Sequence, residues 1–154
     1  MTIERSGNVP HKAGFLPQLR ALARYLPALE KPDFHAGAFA PVQKTESGAL
    51  IMPYVVYSDV VEDLVKTAYE HGCVLTGFRW AEWAHAAEAQ ALCHDPSKLA
   101  RATPEQLLRL LTAIIRQDRF CEGALLCAFE TGLILGIGRR AAAILEEGGV
   151  QLQS

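Results

Sequence analysis

The sequence predicts a mainly helical α+β fold, with five to six helices and one small antiparallel β-hairpin. Three observations predict it. Apolar residues recur at helical spacing along most of the chain, most regularly at Leu107, Leu110, Leu111, Ile114 and Ile115. Ahead of that run, Thr103-Pro104-Glu105-Gln106 joins a capping threonine, a first-turn proline and a glutamine able to reach back to the cap. One stretch breaks the helical pattern: Ala49 to Tyr57 carries Ile51, Val55, Val56 and Tyr57, residue types that suit strands.

Element by element, residues 1–12 read as a loose N-terminal arm. A helix follows from Pro17 to about Leu29, with Phe15, Leu19, Leu22, Leu26 and Leu29 as its apolar stripe. Pro27 falls inside that stripe and either kinks the helix or ends it near Leu26. Thr45-Glu46-Ser47-Gly48 reads as a turn pairing Ala38–Lys44 with Ala49–Tyr57. Pro41 and Pro53 cannot donate ladder hydrogen bonds, so both strands should carry edges or bulges. Ser58-Asp59 caps a helix that runs to His71 and stops at Gly72, with Val60, Val61, Leu64, Val65 and Ala68 inward. A third helix covers Trp80 to Cys93, and Asp95-Pro96-Ser97 then opens a short turn of helix to Ala100. The Thr103 helix runs to about Gln117, with Arg109, Thr112 and Arg116 opposite its apolar face. Helices over Arg119–Glu130 and Leu133–Glu147 complete the domain around Thr131-Gly132, and residues 148–154 read as a frayed end.

A chain of 154 residues is expected to form a single domain spanning 1–154, large enough to bury a core without cross-links. Half the residues are hydrophobic and 21% are charged, which argues against disorder. A net charge of −2 provides no broad basic field, and acids lie near both tight cationic pairs, Arg116/Arg119 and Arg139/Arg140. Nucleic acid is therefore not an expected partner. No run reaches the ~18 apolar residues of a membrane span, and the first residues lack the apolar core of a leader. The expectation is a soluble, cytoplasmic protein without membrane contact. Cys73, Cys93, Cys121 and Cys127 form no Cys-x-x-Cys and read as free thiols. His71/Cys73 and Cys93/His94 match no zinc spacing, so no metal and no cofactor are expected. Gly136-Ile137-Gly138-Arg139-Arg140-Ala141 mimics a dinucleotide fingerprint, but only 13 residues follow it, too few for the rest of a βαβ unit. Gly132 and Gly136 instead read as a smooth patch where another helix comes close.

The candidate site is Arg116-Gln117-Asp118-Arg119-Phe120-Cys121-Glu122-Gly123, a polar block between two strongly apolar segments. Buried charge is costly unless paired, so such a block is either a structural network or a pocket in which Arg116 or Arg119 grips an anion. Arg119 and Glu122 stand three apart and would pair on a helix. Glu122 and Glu130 would lie roughly 12 Å apart along one, too far for a retaining carboxylate pair and loose for an inverting one. Trp80 and Trp83 share one helical face beside Glu82, and Tyr54 is a third aromatic candidate. The candidate ligand-binding set is thus Arg116, Asp118, Arg119, Glu122, Glu130, Tyr54, Trp80 and Trp83. The function this favours is a binding or interaction module whose partner is a second copy of the chain or a small anionic ligand. The alternative is a small-substrate enzyme at the 116–130 helix junction, with Glu122 or Glu130 as general base and Arg119 as anion holder. In a third reading the block is architectural and the function lies with a partner the chain does not reveal.

Leu111-Thr112-Ala113-Ile114-Ile115-Arg116-Gln117-Asp118-Arg119-Phe120-Cys121-Glu122-Gly123 resembles the signature of a family of short bacterial proteins catalogued as a domain of unknown function. Met52-Pro53-Tyr54 with the Ser58-Asp59 helix start, Phe78-Arg79-Trp80-Ala81-Glu82-Trp83, and Phe129-Glu130-Thr131-Gly132 are similar to it as well. The likeness spans roughly Leu26 to Leu145. It departs at Arg79 and Ala81, where an acid and a proline would be expected. The resemblance implies a stand-alone bacterial domain and transfers no activity.

Overall fold

The computed structural model describes residues 15–41, 43–51 and 53–153. The expected N-terminal arm, residues 1–12, lies outside them. A helix α1 over 15–23 is followed by a two-residue turn and α2 (Leu26–Leu29). The break falls at Arg24–Tyr25, just before the end expected near Leu26, and puts Pro27 in the first turn of the second helix, where its missing N–H costs nothing.

The hairpin has four short strands, β1 (Gly37–Phe39), β2 (Gln43–Lys44), β3 (Leu50–Ile51) and β4 (Val55–Tyr57). β1 pairs with β4 and β2 with β3, both antiparallel. Phe39 opposes Val55 and Gln43 opposes Ile51, so each arm advances by the same number of residues between them. Pro41 and Pro53 therefore fall opposite each other where the ladder is interrupted. At the tip, the Gly48 amide donates to Thr45 O and the Thr45 amide to Ala49 O, with Gly48 at φ +90°. That is a three-residue loop closed by a glycine bulge.

α3 (Asp59–Glu70) ends as expected. Gly72 has φ +74°, and the Cys73 amide donates to Ala68 O, a Schellman closure. Its start differs in detail: Ser58 holds the cap position, but its side chain makes no capping bond.

The helix expected from Trp80 to Cys93 is two helices, α4 (Trp80–Ala84) and α5 (Ala87–His94). Distant partners favour the break. Glu88 in α5 accepts from the Trp83 indole at 2.6 Å and from Gln106 Nε2 at 2.8 Å, and Gln90 Nε2 donates to the freed Ala84 O at 2.8 Å. α6 (Pro96–Leu99) is capped by Asp95. α7 (Pro104–Asp118) opens on the expected capping box.

The helix expected over 119–130 starts later, as α8 (Ala124–Glu130), because residues 119–123 form turns that close on Gly123 at φ +95°. α9 is helical through Leu133–Gln153, so its backbone continues where fraying was expected from Gly148; Ser154 lies outside the described residues. Past α1, the described residues thus hold eight helices, where five to six were expected. The excess comes from short helices such as α2 and α6 and from the split between α4 and α5.

α7 is the central helix, packed against α4, α8 and α9. Leu107, Leu108, Leu110 and Leu111 are almost wholly buried there, together with Leu19, Val61 and Ile137. Thr112, expected on the outer face, is 0% exposed. Its hydroxyl accepts from the Leu75 amide at 2.9 Å and donates to Cys73 O at 3.3 Å. Arg116 donates to Leu75 O, and Arg109 lies over the Phe78 ring. The loop after α3 therefore covers the face that periodicity assigns to solvent.

Candidate functional site

The 116–130 block holds two helices and the hairpin together. The α7 helix ends at Asp118, whose Oδ1 reaches forward to accept from the Leu125 amide at 3.0 Å in the first turn of α8. The same oxygen accepts from the Tyr57 hydroxyl at 2.9 Å. Tyr57 in turn accepts from the Leu126 amide at 3.2 Å. Burial, then the hydrogen bond to Asp118, pushes the Tyr57 phenol well above its ordinary range, so it stays a proton donor. Glu122 Oε2 accepts from the outward-facing Val55 amide of β4 at 2.9 Å. Gly123 is fitted to the hairpin too, since a Cβ there would lie 2.8 Å from the Phe39 ring.

The Arg119–Glu122 pair expected on a helix does not form, because both residues sit in the turns before α8. Arg119 is exposed, and its guanidinium has no partner among the described residues. It lines a cleft of about 510 Å³ with Tyr57, Glu62, Tyr69 and Asp118. Glu130 ends α8 and is exposed.

The aromatic candidates separate. Trp83 is half-buried, edge-on to Phe78 at 5.7 Å. Trp80 stacks at 6.0 Å on Phe120, which is 79% exposed. Tyr54 stands on the hairpin, 49% exposed.

A second cavity lies where the sequence places a single candidate residue. It is a groove of about 530 Å³ between α4–α5 and α7–α8. Its buried lining residues, Ala89, Leu110, Ala113 and Ala128, are all apolar. Its polar lining residues, among them His85, Gln90, His94, Gln117 and Thr131, are all exposed. The groove exists because alanines face one another where larger side chains would close the space. Trp83 is the one sequence candidate that lines it. Composition hints at the groove only through the alanine-rich Ala81–Ala91 segment, which periodicity treats as ordinary helix.

Residues 16–147 match the family model of DUF6508, a family of unknown function. The chain belongs to that family. The match includes the junction, the hairpin and both cavities. No curated protein and no solved structure matches the chain. Among the described residues, no cluster of three or more His, Cys, Asp or Glu could hold a metal ion, and no helix is long and apolar enough to cross a membrane. The four cysteines are free, with Cys73 buried, and Cys93 and Cys127 lie along the groove.

Proposed function

We propose that this DUF6508 member is a binding module that takes a small, apolar-bodied ligand in the groove between α4–α5 and α7–α8. The observation that carries this is the division of the lining: an alanine-rich floor with polar side chains confined to the exposed rim. A volume of about 530 Å³ is in the range of small-molecule sites. Space left unfilled forfeits dispersion contacts and works against stability. Ala128→Leu should fill the groove, hold or raise the melting temperature, and abolish binding of the neutral apolar dye Nile red. Undiminished dye binding in a folded Ala128→Leu protein would count against the groove. Native mass spectrometry of freshly purified protein would weigh any retained ligand.

A second reading, self-association, is favoured by the exposed apolar side chains around the junction. Phe120 is 79% exposed, Val56 55%, Phe39 52% and Tyr54 49%. Sedimentation of wild type and Phe120→Asp tests it: a dimer dissociated by the substitution supports it, and a monomer throughout removes it. The enzyme alternative draws less support, because Glu122 is engaged by the Val55 amide and lines neither of these cavities.

A further inference from the structure

The groove does not stand alone. A neighbouring cavity of about 360 Å³ shares Cys93, Thr131 and Leu133 with it. Beyond that shared wall lie Arg139 and Arg140 on α9, above an apolar base that includes Leu92 and Leu99. At Gly136 a Cβ would come 2.6 Å from Leu99, so α6 rests directly on α9.

Both arginines are held but not used up. Arg139 Nε donates to Glu30 Oε2 at 3.0 Å. Arg140 Nε donates to Ala102 O at 2.8 Å and its Nη1 to Glu147 Oε2 at 3.3 Å, with the side chain only 17% exposed. The remaining guanidinium N–H groups have no partner among the described residues. A guanidinium anchored through Nε keeps a fixed edge for a further anion, and such planar donors favour oxyanions. The side chains of the acids already present are exposed, 42% for Glu30 and 60% for Glu147, so these ion pairs are weak and open to competition.

We infer that the ligand is an amphiphile, with its apolar body on the alanine floor and a single anionic head bearing carboxylate- or phosphate-type oxygens at Arg139 and Arg140. This rests on the groove being the binding site. The shared wall at Thr131 and Leu133 is where the ligand crosses from one compartment to the other.

The test is displacement of Nile red by decanoate and by decanol, which share a chain and differ in the head. Decanoate is expected to displace the dye at about tenfold lower concentration than decanol. Arg139→Gln and Arg140→Gln should each shrink that preference and leave decanol unchanged. Arg139 is the safer variant, since Arg140 also supports the Ala102 carbonyl. Glu30→Gln, which removes a competing carboxylate, should tighten decanoate alone. Equal displacement by the two probes, or a preference unmoved in both arginine variants, overturns the anionic head and leaves the groove reading standing. Failure of both probes to displace bound dye likewise overturns the amphiphile. Nile red failing to bind the wild type, or binding Ala128→Leu equally well, brings down the groove reading itself.

Discussion

Asp118→Ala is the sharpest probe of the junction, because one carboxylate oxygen serves two donors from different elements. The substitution leaves the Tyr57 hydroxyl and the Leu125 amide, both part-buried, without their acceptor. An orphaned buried donor costs about 1–3 kcal/mol, with partial exposure favouring the lower half for each. The lost negative charge at the start of α8 adds about 0.3–1 kcal/mol. The expected destabilisation is therefore about 2–5 kcal/mol, a fall in melting temperature of roughly 5–20 °C for a chain of this length. Urea unfolding followed by far-ultraviolet circular dichroism measures it, as a lower midpoint at unchanged slope. Tyr57→Phe removes one of the same bonds. Its cost should not add to that of Asp118→Ala, and the cycle should return a coupling of about 0.5–3 kcal/mol. A loss below about 0.5 kcal/mol for Asp118→Ala would refute the reasoning and return the carboxylate to the pool of free site residues.

Thr112→Val keeps the shape of a fully buried residue and removes both bonds to the loop after α3. It should cost about 1–3 kcal/mol in the same urea assay, and a neutral result would show that the loop is held by packing alone. Arg119→Ala should change stability by no more than about 0.5 kcal/mol, since its guanidinium is exposed and has no partner among the described residues. A loss of about 3 kcal/mol or more would instead reveal a buried pair. Burial pushes the Cys73 thiol from 9.0 up to about 11. The folded state thus holds a proton that the unfolded chain releases, and this stability is complete below the lower value and lost as pH rises through the upper. The urea midpoint should fall across that window, and less steeply in Cys73→Ala. Identical pH profiles would remove Cys73 as the source.

Where structure is local, the sequence carries it. The Thr103 capping box, the Gly72 stop and the Thr45–Gly48 turn each depend on residues within a few positions, and each appears as expected. Several of the departures depend on partners farther along the chain. Nothing near Ala86 marks the end of a helix, because the break depends on Glu88 reaching Trp83 and Gln106. Thr112 looks outward by period, and only the returning loop makes it internal. Arg119 and Glu122 have helical spacing, but Asp118 closes the next helix and leaves them in a turn. The polar block stands out in the sequence, and in the structure its carboxylates Asp118 and Glu122 fasten the hairpin. The groove was missed because it is made of alanines, whose small size leaves no motif.

The facing prolines of the hairpin have one more consequence. A two-stranded ribbon has two free edges, and one with exposed Phe39, Leu50, Tyr54 and Val56 would ordinarily invite another chain to add a strand. Pro41 and Pro53 remove an amide from both edges at the same level, between the β1–β4 and β2–β3 pairs. Glu122 occupies the amide of Val55 next along β4. Each edge is thereby cut into segments too short to template an added strand. The apolar surface of the ribbon can be displayed without amyloid-like growth, and any self-association must proceed through side-chain faces rather than through backbone pairing.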